Sequence, residues 1–146
     1  MLVVIGMNPS IADEKSDDPT VVRVVERAKR TGHGGMIIAN LCDVVETDSS
    51  KLEGMGPMGR SSEANTQVLE DVLEYASNGK HTVLCAWGKP GHKFGDLTSF
   101  FDLAASLCLP LVCLGENADG SPVHPLYIAY DKPFLPYNPS TSFGVA

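Results

Sequence analysis

Short β-branched apolar runs alternate along this chain with segments whose apolar residues recur at helical spacing, and no other feature constrains the fold as much. The runs are Leu2-Val3-Val4-Ile5 ending at Gly6, Met36-Ile37-Ile38-Ala39, Thr82-Val83-Leu84-Cys85-Ala86-Trp87 closed by Gly88, and Leu111-Val112-Cys113-Leu114. None alternates with polar residues, the pattern of strands buried on both faces. Between the first two, Val21, Val22, Val24, Val25 and Ala28 mark a helix with Arg23, Arg27 and Arg30 on its other side. Thr20 is its expected N-cap, and Gly32, Gly34 and Gly35 stop it. Val68, Leu69, Val72, Leu73 and Ala76 predict a second helix, capped by Ser61 or Ser62 and ended near Asn78-Gly79. Leu97, Phe100, Phe101, Ala104 and Leu107 predict a third, with Asp96 as its cap. Strands alternating with helices predict an α/β fold: a three-layer α/β/α sandwich around a mostly parallel, four-stranded sheet.

At 146 residues the chain has the length of one domain, and 43% apolar residues suffice for one core. A single domain over residues 1–132 is expected, followed by an extended tail over 133–146 whose three prolines interrupt any pattern. No apolar run approaches the roughly 18 residues that cross a bilayer. Asn8-Pro9 ends the opening run before it could serve as a signal-peptide core, so a cytoplasmic protein without membrane association is expected. Eighteen acidic against eleven basic residues give a net charge of −7, which disfavours tight non-specific binding to duplex nucleic acid. Cys42, Cys85, Cys108 and Cys113 form no C-x-x-C pair and sit among apolar residues. Buried reduced thiols are expected, with no zinc, no iron–sulfur cluster and no other cofactor.

Ligands of open α/β sheets bind beyond the carboxyl ends of the strands. There the sequence places Gly6-Met7-Asn8-Pro9-Ser10, then Asn40, then Gly88-Lys89-Pro90-Gly91-His92, and finally His124-Pro125-Leu126-Tyr127. Taken singly, Asn8 reads as a turn former, Asn40 as a strand terminator and His124 as a packing histidine; their recurrence at successive strand ends points to a site. Gly54-Met55-Gly56-Pro57-Met58-Gly59 matches G-x-G-x-x-G literally, but no strand leads into it and a proline interrupts it, so a loop is expected. The glycines from Gly88 to Gly95 lack the G-K-[ST] ending of a phosphate loop. Asp13, Glu14, Asp17 and Asp18 read as a solvated approach to a helix N-terminus rather than a magnesium site.

In this order the motifs resemble those of the uracil-DNA glycosylase superfamily. Gly6-Met7-Asn8-Pro9-Ser10 is similar to its first motif, with variants such as G-Q-D-P-Y and G-I-N-P-G. Ile37-Ile38-Ala39-Asn40-Leu41 looks like the strand ending in the asparagine that reads uracil, and Val83-Leu84-Cys85-Ala86-Trp87-Gly88 is similar to V-x-x-L-W-G. His124-Pro125-Leu126 stands where those enzymes carry H-P-S-P-L or H-P-A. Within that space, Asn8-Pro9-Ser10-Ile11-Ala12-Asp13 with Asp18-Pro19-Thr20 resembles an uncharacterised family of small bacterial and phage proteins.

The resemblance implies cleavage of an N-glycosidic bond, whose transition state places negative charge on the departing base. It implies that Asn8 positions water, that Asn40 pairs with the Watson–Crick edge of a pyrimidine, and that His124 donates to the base oxygen. It further implies that Ser10, Gly88 and Lys89 approach phosphates, and that Leu126 or Tyr127 fills the gap left by a flipped nucleotide. No Phe, Tyr or Trp precedes Tyr75, so the ring that would stack on the base is replaced by His33. Three readings follow: a glycosylase-like hydrolase acting on a base in DNA or a nucleotide, a non-catalytic nucleobase or nucleotide binder, and a protein-interaction module reusing the fold.

Overall fold

The computed structural model describes residues 1–7, 19–42, 63–89 and 97–138. In chain order it contains strand β1 (Leu2–Gly6), helix α1 (Pro19–Arg30), β2 (Met36–Asn40), α2 (Glu63–Gly79) and β3 (Thr82–Cys85). Helix α3 (Leu97–Ser106), β4 (Val112–Cys113), a 3-10 turn (Pro125–Tyr127) and β5 (Leu135–Pro136) follow. The sheet order is β2-β1-β3-β4-β5. The first four strands are parallel and β5 runs antiparallel to β4.

Period-two alternation sorts the central strand between two cores. Leu2 and Val4 join Val24 and Ala28 of α1, together with Leu84, Ala86 and Leu114. Val3 and Ile5 face the other way, toward Leu73 and Ala76 of α2 and Phe100 and Ala104 of α3. Helices therefore cover both faces, which is why β1 shows no polar alternation. Trp87, just beyond β3, packs edge-on against Phe100 at 5.5 Å and Tyr137 at 5.9 Å, closing the second core beneath the strand ends.

Each of the described helices ends in the same device. Gly32 (φ 81°), Lys80 (φ 54°) and Cys108 (φ 51°) take left-handed conformations one or two residues after α1, α2 and α3 respectively. The next residue's amide then reaches back to the last turn: His33 to Ala28, His81 to Ala76, and Leu109 to Ala104, at 2.8–2.9 Å. This satisfies helix-end carbonyls and turns the chain into the following strand.

Three expectations are corrected. The apolar face of α1 is rotated: Val24, Arg27 and Ala28 are buried, whereas Val21 and Val22 are 37% and 49% exposed. The described sheet has five strands where four are expected, because Leu135 and Pro136 pair with β4, and Tyr137 beyond them is buried. Cys42, Cys85 and Cys113 are buried thiols as expected, but Cys108 is exposed, since it occupies the left-handed capping position. Burial pushes the Cys85 thiol well above its ordinary pKa, with the neighbouring Cys113 adding to the shift.

Candidate functional site

The order β2-β1-β3 places the reversal of strand order at β1, with β2 on one side and β3 on the other. A crevice forms beyond the carboxyl ends at such a reversal. The register brings Gly6 directly opposite Asn40 and Ile5 opposite Cys85, so the ends of three strands lie level.

Asn40 is the best-defined polar group there. A Cβ built on Gly6 would sit 2.8 Å from Asn40 Oδ1, so the carboxamide lies against main chain that only glycine leaves uncovered. Its backbone is secured from both directions. The Asn40 carbonyl accepts from Asn65 Nδ2 of α2 at 3.0 Å. Beyond it, Leu41 N donates to Gly6 O at 2.9 Å and Cys42 N to Met7 O at 2.7 Å, extending the ladder past the last paired residue. Sequence reading missed Asn65. Its signal was available, because it lies on the same stripe of α2 as Leu69, Val72, Leu73 and Ala76, where a polar residue needs a partner.

The third and fourth strand ends are joined by one loop. Buried Gly88 (φ 69°) donates its amide to Pro122 O at 3.1 Å, and Val123 N donates to Gly115 O at 2.9 Å. Within this loop Ser121 is completely buried; its hydroxyl accepts from Asn117 Nδ2 at 2.9 Å and donates to Asp119 Oδ1 at 2.5 Å. Tyr137 OH donates to Gly120 O at 3.0 Å, bracing the same loop from β5. His124 follows two residues after Pro122 and caps the 3-10 turn, its Nδ1 accepting from Leu126 N at 3.3 Å. A neutral imidazole that accepts at Nδ1 carries its proton on Nε2.

A family model described as a protein of unknown function, DUF1643, matches residues 1–126. The chain belongs to the DUF1643 family. No curated protein and no solved structure matches it. The DUF1643 segment contains Gly6, Asn40, Asn65, Gly88 and His124, whereas the chain that braces the His124 turn from behind, residues 128–137, lies beyond it.

Sequence-predicted site residues divide into three groups. Asn40, Gly88 and the loop bearing His124 come to the carboxyl side of the sheet; Lys89 is exposed beside Gly88, and Leu126 is half-buried within the turn. Tyr127 completes the backbone of that turn. Asn8 and Ser10 lie outside the described residues, as do the loop at 54–59, the acidic cluster at 13–18 and the proposed caps Ser61, Ser62 and Asp96.

His33 is not brought to the site. It precedes β2, in the turn where Leu2 N donates to Gly35 O at 2.9 Å, and so lies at the amino ends of the strands. Its Nδ1 is 2.8 Å from Thr31 Oγ1. Burial, then the Met1 amino group, lowers its pKa below the ordinary value, and His81 adds to the shift. A ring at the start of a strand cannot stack on a base held by the residue at its end.

Among the described residues no three His, Cys, Asp or Glu side chains cluster to hold a metal ion. No described helix is long and apolar enough to cross a membrane.

Proposed function

We propose that this chain has a three-layer, uracil-DNA glycosylase-like fold and recognises a pyrimidine-type nucleobase through Asn40. The observation that carries this reading is the Asn40 carboxamide resting on the bare backbone of Gly6 at the reversal point of the sheet. A carboxamide offers both a donor and an acceptor, the complement of one edge of uracil or thymine. Because its main chain is tied to Asn65, Gly6 and Met7, it needs little ordering on binding. The net charge of −7 favours a free base, a nucleotide or a base presented by single-stranded DNA over a long duplex contact.

Hydrolysis of the N-glycosidic bond by the same site is favoured by a separate observation. The capping bond of His124 leaves its proton on Nε2, the state required to donate to a base oxygen as negative charge grows there. Asn8 would orient the attacking water in that mechanism.

Titrating the protein with uracil, thymine, cytosine and their nucleotides, followed by NMR, tests the reading. The Asn40 side-chain amide and neighbouring backbone amides are expected to shift with uracil and thymine, and Asn40→Ala to abolish the backbone shifts. No binding of any base or nucleotide at millimolar concentration overturns it and leaves the interaction module. Release of uracil from single-stranded DNA by the wild type, lost in Asn8→Ala, establishes the hydrolase.

A further inference from the structure

We propose that Arg27 is a positioning residue for the His124 imidazole, acting through the backbone it holds. Arg27 is 1% exposed. A buried guanidinium is costly to desolvate unless its donors are satisfied. Here they are satisfied by main chain: Arg27 donates to the carbonyls of Ile128 and Ala129 at 2.9 Å each and of Lys132 at 3.2 Å. Arg23 donates to the same Ile128 carbonyl. Burial, followed by the charge of Arg23, lowers the Arg27 pKa from its ordinary value. Tyr130, inside the held segment, has the guanidinium carbons of Arg23 and Arg30 at 4.0 and 4.3 Å from its ring centroid.

The held segment is the exit of the turn that His124 opens. Ile128 caps that turn, its amide donating to Pro125 O at 3.2 Å. The entrance is held by the bonds at Pro122 and Val123. His124 therefore sits between two fixed points, and its Nδ1 meets the Leu126 amide only while both hold. An apolar side chain at position 27 would fill the same space in the core without fixing three carbonyls. The guanidinium supplies geometry: it sets which imidazole nitrogen is tied to the backbone and therefore which carries the proton. The use of that donor rests on the nucleobase reading above; the clamp itself does not.

The test reads the two separately. In the free protein, nitrogen–proton NMR of the His124 ring reports its tautomer, and hydrogen exchange reports the Leu126 and Ile128 amides. Wild type is expected to show the Nε2–H form. Arg27→Met, verified as folded by circular dichroism, is expected to show mixed tautomers and exchange about tenfold faster at both amides, the scale of effect when a charged donor to buried acceptors is lost. Arg30→Ala removes a cation from Tyr130 but none from the carbonyls and should leave both readouts unchanged. A wild-type tautomer and exchange rate in folded Arg27→Met overturn the proposal. If that variant does not fold, Arg27→Lys takes its place, because one ammonium cannot span three carbonyls; wild-type behaviour there overturns it equally. Uracil is then titrated into the same proteins, with a threefold to tenfold loss of affinity expected in the clamp variant, roughly the worth of one hydrogen bond. Unaltered uracil affinity in a variant with mixed tautomers overturns the link from clamp to site. Absence of uracil binding by the wild type instead counts against the nucleobase reading alone.

Discussion

The two ends of the sheet use similar residue types to opposite purposes. At the amino end His33 and His81 occupy equivalent places, each one residue past a left-handed cap, and each is engaged by its neighbours. His81 stacks on Tyr75 with centroids 4.7 Å apart and lies 3.2 Å from the Met1 amino group; His33 is tied to Thr31. At the carboxyl end the Asn40 carboxamide lies against Gly6, and the His124 ring accepts from the Leu126 amide across its turn. Polar groups at the amino end finish helices and start strands. Those at the carboxyl end are fixed where the proposed base would bind.

That contrast can be broken most directly at Asn40. If Asn40 reads the base as proposed, Asn40→Ala removes two polar contacts, each worth about 1.5 kcal/mol, so uracil affinity should fall about a hundredfold by calorimetric titration. Stability should change little, because the carbonyl bonded to Asn65 remains. Unchanged affinity would reduce the carboxyl end to the same structural role as the amino end. Gly6→Ala is next: the added methyl meets Asn40 Oδ1 at 2.8 Å and must displace the carboxamide. A roughly tenfold loss of uracil binding is expected, with about 1 kcal/mol of stability lost by urea denaturation.

The amino end should respond in the opposite sense. Lys80→Gly and Cys108→Gly relieve left-handed strain and should each stabilise the fold by up to about 1 kcal/mol, seen as a raised urea midpoint. The smallest effect is expected at His33. Its pKa is lowered on folding, so the unfolded chain binds the proton more readily. The contribution of His33 is therefore present above the unfolded pKa, near 6.5, and is lost as pH falls through the lower folded value. His33→Gln should flatten part of the decline in urea midpoint between neutral and mildly acidic pH; an unaltered slope would show that His33 is not its source.

The strands and helices were legible because burial on both faces and burial on one face leave different periods in the sequence, as in β1 and α2. The placement of Asn40 was equally legible, since a polar residue ending a buried run can only lie at the strand's carboxyl end. The same logic, applied to His33, would have placed it at the other end; searching for a flat ring by position in the chain overrode the topology. Arg27 was hidden because its acceptors are carbonyls about a hundred residues downstream, and a guanidinium on a helix reads as solvated. β5 was hidden for a related reason: a two-residue strand containing a proline has no period, and only its neighbour β4 defines it.

The brace from Tyr137 to Gly120 has a consequence for how the molecule is made. Synthesis is vectorial, so β4 and the loop bearing His124 leave the ribosome before Leu135 and Pro136 can pair with Val112 and Cys113. Until then β4 is the last strand of the sheet, with one row of backbone groups unmatched, and strands in that condition recruit other chains. A nascent chain halted between residues 124 and 135 would carry the His124 loop on an open edge, which Leu135 and Pro136 close and Tyr137 braces.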